Sequence, residues 1–306
     1  MTDARPWPDS IRAGETEQHE PLVRRVLAPN PSPYTFSGTQ TWLVGQGADI
    51  AIIDPGPTGS GKSVGDPGDA YGAGHVDAIL RAVGEARVTA ILCTHTHRDH
   101  SPAAAPLRAA TGAPIIGCAP LALTDDGPRA DSAFDPDYAP DHVLGDGEQL
   151  RGDGWTLTAV ATPGHTSNHL CYALEESGAL FTGDHVMAWS TSVVSPPDGD
   201  MAAYMASLAK LYDRSDRIYY PAHGPAVTKP KQLVRGMLGH RKSRERQILT
   251  ELAQGPRAIP AMVAVMYKGL DPRLTGAAGR SVLAHLLDLK ARGRVDGTGD
   301  IWSLIA

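Results

Sequence analysis

The chain is short of four things. It has only three cysteines in 306 residues, Cys93, Cys118 and Cys171, isolated from one another and set in apolar runs. That spacing argues against a disulfide framework or a thiolate metal site, and reads as reduced core residues of a cytoplasmic protein. No apolar run approaches the roughly 18 residues of a membrane span, so no membrane segment is expected. The start, Met1-Thr2-Asp3-Ala4-Arg5-Pro6-Trp7-Pro8, has no apolar core and carries acid, unlike a secretory or mitochondrial presequence. There is also no excess of basic charge. Lys and Arg total 28 against 34 Asp and Glu, a net charge of −6, which argues against a surface that binds nucleic acid throughout but permits a local basic patch.

Histidine is concentrated. Thr94-His95-Thr96-His97-Arg98-Asp99-His100 places three imidazoles and a carboxylate within six residues. It follows Val88-Thr89-Ala90-Ile91-Leu92-Cys93, which reads as a buried strand. In extended chain, residues two apart share a face, so His95 and His97 point the same way before the chain turns toward Asp99 and His100. Three later segments each put a ligand type just after a short strand: Thr162-Pro163-Gly164-His165, Thr182-Gly183-Asp184-His185 and Pro221-Ala222-His223-Gly224. Loops after strands collect on one rim of a sheet, where a site for two adjacent metal ions can form.

The rest of the chain is ordinary globular sequence. Residues 1 to 20 read as an irregular lead-in. Strands are expected at 22–27, 40–44, the run from 49, 88–93, 113–117, 149–150, 155–161, 169–174, 179–182 and 217–220. Helices are expected at 75–83, from Pro102 toward Ala110 with Ser101 as N-cap and a kink or early stop at Pro106, then 202–211 and 230–253. Residues 118–140 read as a surface loop. After Gly255-Pro256, helices at 259–266 and 277–291 and a hairpin at 293–305 suggest a winged helix. Gly56-Pro57-Thr58-Gly59-Ser60-Gly61-Lys62-Ser63 satisfies the phosphate-loop pattern. The Gly and Pro that follow break the helix such a loop needs, so 57–74 reads instead as a flexible insertion near the site mouth.

The ligand segments, in this order, resemble the metallo-β-lactamase superfamily. The resemblance implies an α/β fold, a four-layer αββα sandwich over residues 1–242, with a winged-helix-like domain over 243–306. It also implies that His95, His97 and His165 bind one metal, that Asp99, His100 and His223 bind a second, and that Asp184 bridges them. Two Zn²⁺ ions suit this donor set, with iron or manganese as alternatives. The activity implied is hydrolysis by a metal-bridging hydroxide, with Asp99 as the catalytic residue that orients it and carries a proton. A Glu would stand at His97 in the oxygen-reducing diiron flavoproteins. Thr162-Pro163-Gly164-His165-Thr166-Ser167-Asn168-His169, with the winged-helix tail, resembles the lactamase-β-like branch, whose animal mitochondrial member cleaves single-stranded RNA.

Ser101, Ser167, Thr94 and Thr96 read as caps or supports, and His169 as structural; His185 could contact substrate. The favoured substrate is a small ester, thioester, lactone or amide. Single-stranded RNA is the alternative, through the basic 229–246 helix with its seven Lys or Arg and one Glu. A nucleic-acid-binding regulator with a structural metal and a mononuclear iron oxygenase are the further readings. A homodimer is possible on this sequence.

Overall fold

The structure is a computed structural model that describes residues 12–59, 74–121 and 134–305. Its first sheet has seven strands in sequential order: β1 (Thr16–Glu20), β2 (Val23–Leu27), β3 (Gln40–Val44), β4 (Asp49–Ile53), β5 (Arg87–Cys93), β6 (Ile115–Gly117) and β7 (His142–Val143). The first four pair antiparallel and β4 to β7 pair parallel. Helix α1 (His75–Val83) lies between β4 and β5, and α2 (Ala104–Thr111) between β5 and β6. The second sheet runs β12-β11-β10-β9-β8, built from β8 (Gln149–Gly152), β9 (Trp155–Ala161), β10 (Leu170–Leu174), β11 (Ala179–Gly183) and β12 (Ile218–Pro221). Helix α3 (Met201–Asp213) links β11 to β12, which lie parallel.

Period-two alternation builds the four layers. Along β10, Leu170, Tyr172 and Leu174 face the first sheet, in a core with Trp42, Ile53, Leu92 and Leu157. Cys171 and Ala173, on the other face, pack with Leu208 and Leu211 of α3. Both faces are buried, so these strands read as continuous apolar runs rather than as alternating ones. Ala78 and Ile79 of α1 and Leu107 of α2 cover the outer face of the first sheet.

Helix α4 (Pro230–Leu252) joins the sandwich to the tail. Val234 and Met237 pack in the core with α3, and Ile248 and Leu252 pack in the tail's own core. The expected division at residue 242 lies within this helix. The tail comprises β13 (Arg257–Ala258), α5 (Ile259–Met266), α6 (Thr275–Ala291), β14 (Val295–Thr298) and β15 (Ile301–Leu304). Helix α6 is covered on two sides: Val282, Leu286 and Leu289 by the tail, and Ala284 by the sandwich.

Four expectations need correction. Thr16–Glu20 is a strand, not an irregular lead-in; its charged, half-exposed residues suit a sheet edge and hide the apolar signal. Ser101 is not an N-cap. Ala103 holds that position, the helix starts at Ala104, and the Ser101 hydroxyl donates to Asp135 Oδ2 at 2.8 Å. Pro106 falls in the first turn, where the helix has no partner for an N–H, so it neither kinks nor shortens the helix. The ends of the expected surface loop are also buried, since Cys118 and Tyr138 belong to the first core. Residues 60–73, which hold the second half of the phosphate-loop pattern and most of the insertion, lie outside the described residues. The described part is already committed: the Gly56 amide donates to His100 O at 2.7 Å.

Trp42 is 1% exposed, donates Nε1 to Pro221 O at 3.1 Å and packs on Phe181 and Tyr220. Trp42→Ala is expected to cost about 3–5 kcal/mol in urea unfolding. Burial also lowers the pKa of His75 to about 4 and that of His285 to about 3. Both stay neutral when folded, while the unfolded chain protonates them below pH ~6.5. Stability is therefore expected to fall as pH drops from about 6.5 toward 4, and less so in His75→Gln, by urea midpoints at pH 7 and 5.

Candidate metal centre

Strands β5, β9, β11 and β12 all end at one rim, and each delivers its side chains there. After β5 the chain turns back through a His97 O to His100 N hydrogen bond of 2.9 Å. This brings His95 Nε2 to 2.9 Å from His97 Nδ1. From the end of β9, His165 Nε2 approaches the same His97 Nδ1 at 3.2 Å. These three form one group. Asp99, His100 and His223 form another, with His223 Nε2 3.2 Å and His100 Nε2 3.4 Å from Asp99 Oδ2. Asp184 stands between them. Its Oδ1 lies 3.3 Å from His223 Nε2 and 3.6 Å from His100 Nε2, and its Oδ2 lies 3.7 Å from His165 Nε2. All seven residues named from the sequence are brought together.

The outward ring nitrogens set the tautomers. His165 Nδ1–H donates to Val193 O at 2.6 Å, and His100 Nδ1–H to Asp54 Oδ2 at 3.1 Å. The Thr94 hydroxyl donates to Asp54 Oδ2 at 2.9 Å, so its oxygen accepts His95 Nδ1–H at 3.0 Å. His95 Nε2 and His165 Nε2 are then bare lone pairs, both facing His97 Nδ1, which carries at most one proton. At least one contact there sets lone pair against lone pair unless a cation lies between. In the second group His100 Nε2, His223 Nε2 and Asp184 Oδ1 are buried without a hydrogen-bond partner among the described residues. Ligands 2.0–2.1 Å from a tetrahedral ion lie about 3.3 Å apart, close to the spacings seen here. The donor set fits divalent cations.

Charge follows the same division. Burial first, then the neighbouring imidazoles, push His95 well below its ordinary pKa, and His97 falls to about 3. For Asp99 and Asp184, burial opposes ionisation, but His100 and His223 outweigh it and hold both carboxyls low. Burial also opposes a charge on His100, yet Asp99, Asp184 and Asp54 raise its pKa well above the usual value. His95 and His97 are thus held neutral, while in the second group carboxylates and imidazoles hold each other in their charged forms.

Two supporting residues were not predicted in these roles. Asp54, 1% exposed and left-handed at φ 50°, accepts the Thr94 amide at 2.7 Å as well as the Thr94 hydroxyl and His100. The sequence signal was a lone carboxylate at the end of a strand, in Asp54-Pro55-Gly56, which reads as a turn. His169, read as structural, takes the Asp184 amide on Nε2 at 3.3 Å, with Nδ1 bonded to Thr162 Oγ1 at 2.9 Å. Gly183 permits this approach: its φ is +48°, and a Cβ there would lie 2.7 Å from His169 Nε2. His185 is fully buried against Tyr204, ring centroids 4.8 Å apart, so its ring is not open to a substrate. The cysteines are free and buried, and burial pushes Cys118 and Cys171 to about 12, which keeps them as thiols.

A two-sheet α/β sandwich with this rim defines a class of metal-site proteins, and comparison with known proteins agrees. Residues 34–223 match the metallo-beta-lactamase superfamily, and residues 258–302 match the beta-lactamase associated winged helix domain. The beta-lactamase-like protein 2 homolog of Drosophila melanogaster is 31% identical over 287 residues, 89% of each chain. An atrochrysone carboxyl ACP thioesterase of Aspergillus chevalieri is 34% identical over 245 residues, 78% of this chain and 68% of the relative. A beta-lactamase domain protein from Burkholderia ambifaria has the same fold, with a TM-score of 0.77 at 22% identity, covering 98% of this chain and 96% of that one. A protein solved in a di-iron-bound form has a TM-score of 0.51 at 26% identity, covering 68% and 95%. The chain belongs to the metallo-beta-lactamase superfamily, as a hydrolase with the associated winged helix.

Asp54→Asn removes the charge that faces His100 Nδ1 and the Thr94 hydroxyl. It is expected to weaken metal binding by about 10–100-fold, read by chelator competition, with the fold retained by circular dichroism.

Proposed function

We propose that the chain is a dinuclear zinc hydrolase acting on a thioester or a related ester, lactone or amide. The observation that carries this reading is the division of Asp184, whose two carboxylate oxygens face different ligand groups. The donor set of imidazole and carboxylate supports zinc. Iron is the competing metal, since one structural neighbour is described as di-iron-bound. The thioesterase relatives support a carbonyl substrate.

When bound, two such ions acidify a water molecule and stabilise charge on a carbonyl oxygen. The protein's own groups do the rest. Asp99, 17% exposed at its side chain and held anionic by His100 and His223, can take a proton from the attacking water and pass it to the leaving thiolate. Asp54, Thr94 and the Val193 carbonyl fix the imidazoles so that no reorientation is needed during reaction. His95, His100 and His223 are fully buried, which excludes water from behind the site.

The RNA reading rests on α4, and part of its charge is internal. Arg241 is 3% exposed, and Arg244 donates to Met266 O at 2.7 Å and stacks over Tyr267 at 4.1 Å. Burial of α6 on two sides likewise counts against a regulator that reads nucleic acid with this helix.

Elemental analysis of purified protein is expected to give two zinc ions per chain. Thioester hydrolysis is expected to fall by more than about 100-fold in His97→Ala, beyond the effect of losing a supporting residue. One iron per chain with oxygen uptake would overturn the reading. Cleavage of single-stranded RNA that His97→Ala abolishes, without thioester turnover, would replace the substrate.

A further inference from the structure

We infer that Arg241 and Arg280, on two helices that carry no ligand, are positioning residues for the metal centre. They hold the segment after β11 that starts at Asp184 and orients His165. This rests on the two-metal reading above.

The segment 184–200 has no helix or strand, so no ladder of backbone hydrogen bonds sets its path. Side chains set it from both sides. Facing the site, Val193 O accepts His165 Nδ1–H at 2.6 Å. The neighbouring Ser192 hydroxyl bonds Asp184 O and lies 2.9 Å from His185 O. Tyr204 Oη donates to His185 O at 3.1 Å.

Facing away, two guanidinium groups grip the same stretch. Arg241 of α4 donates Nη2 to Ser192 O and lies over the Tyr204 ring, 5.1 Å from its centroid. Arg280 of α6, in the winged helix, donates Nη2 to Pro196 O and Nε to Ser195 Oγ at 3.3 Å. Among the described residues neither arginine pairs with a carboxylate, and both spend their charge on this segment.

A buried guanidinium with no counter-ion is costly unless its donors are well placed. Arg280 sets two donors on the segment, whereas Arg241 sets only Nη2 there and keeps a buried, unpartnered Nε among the described residues; in both, the planar guanidinium gives the accepted carbonyl a fixed direction that a flexible ammonium would not. Ser192 and Val193 are adjacent, so holding the Ser192 carbonyl also holds the Val193 carbonyl that turns His165. If Val193 O moves, His165 Nε2 swings away from His97 Nδ1, now 3.2 Å away. Arg280 holds Ser195 and Pro196, two and three residues beyond Val193, so the winged helix fixes the other end of the same stretch without touching the metal centre.

The test compares wild type with Arg280→Ala, Arg280→Lys, Arg241→Lys and Arg244→Ala. Arg244 is the control, since it binds the winged helix through Met266 O and Tyr267 and makes no bond to the segment. Zinc affinities are read by competition with a chromogenic chelator, geometry by the visible spectrum of the cobalt-loaded protein, and folding by the melting temperature without metal. Arg280→Ala is expected to weaken one of the two zinc sites by about tenfold and to change the cobalt spectrum. Arg280→Lys should recover part of the loss, and Arg241→Lys should shift the same site. Arg244→Ala should lower the melting temperature and change neither metal readout. The inference is overturned if Arg280→Ala keeps both affinities within about twofold of wild type, or if Arg244→Ala weakens zinc as much. Wild-type protein that binds no zinc stoichiometrically overturns the two-metal reading itself, and the positioning role with it.

Discussion

Buried lone pairs that face one another are unstable without a cation, and the rim of this sandwich is arranged around that constraint. His95, His100 and His165 each commit the outward ring nitrogen as a donor, so the inward nitrogen is the one left facing the centre. Asp54 enforces this for two of them, directly for His100 and through the Thr94 hydroxyl for His95. A residue with no place in the ligand set thus controls the proton count of the centre.

The sandwich makes such crowding affordable. Strands β10 and β11 are buried along their whole length, so they are tightly packed and the loops at their ends start from fixed points. Gly164 and Gly183 then let backbones approach where a side chain would collide. A Cβ on Gly164 would lie 2.3 Å from Tyr204 Cα. That contact brings α3 against the His165 loop, and Tyr204 in turn supports His185 beside Asp184.

Much of the fold was legible in the sequence where one physical signal dominated. The strands Gln40–Val44 and Trp155–Ala161 and the helices His75–Val83 and Ile259–Met266 have the bounds that their apolar patterns predict. Failures came where a local signal competed with a distant partner. Ser101 followed by Pro102 is a sound capping pattern, but Asp135 took the hydroxyl. Thr16–Glu20 has no apolar face to read, because pairing with β2 rather than burial makes it a strand. Asp54 looked like part of a turn because a single carboxylate has no spacing.

The sequence alone determined the donor chemistry. Three histidines and an aspartate within six residues, with His165, Asp184 and His223 each following a strand, have few uses besides holding metal ions, and residue type and order are enough to say so. Only the tertiary structure decided how these donors are aimed. Tautomer and direction depend on the partner of the opposite ring nitrogen, and those partners are 46 residues away for His100 and 28 for His165. It also decided that Arg280, in a module without ligands, reaches the segment that begins at Asp184. Local sequence encodes which atoms can bind, whereas the packing of distant segments encodes where their lone pairs point.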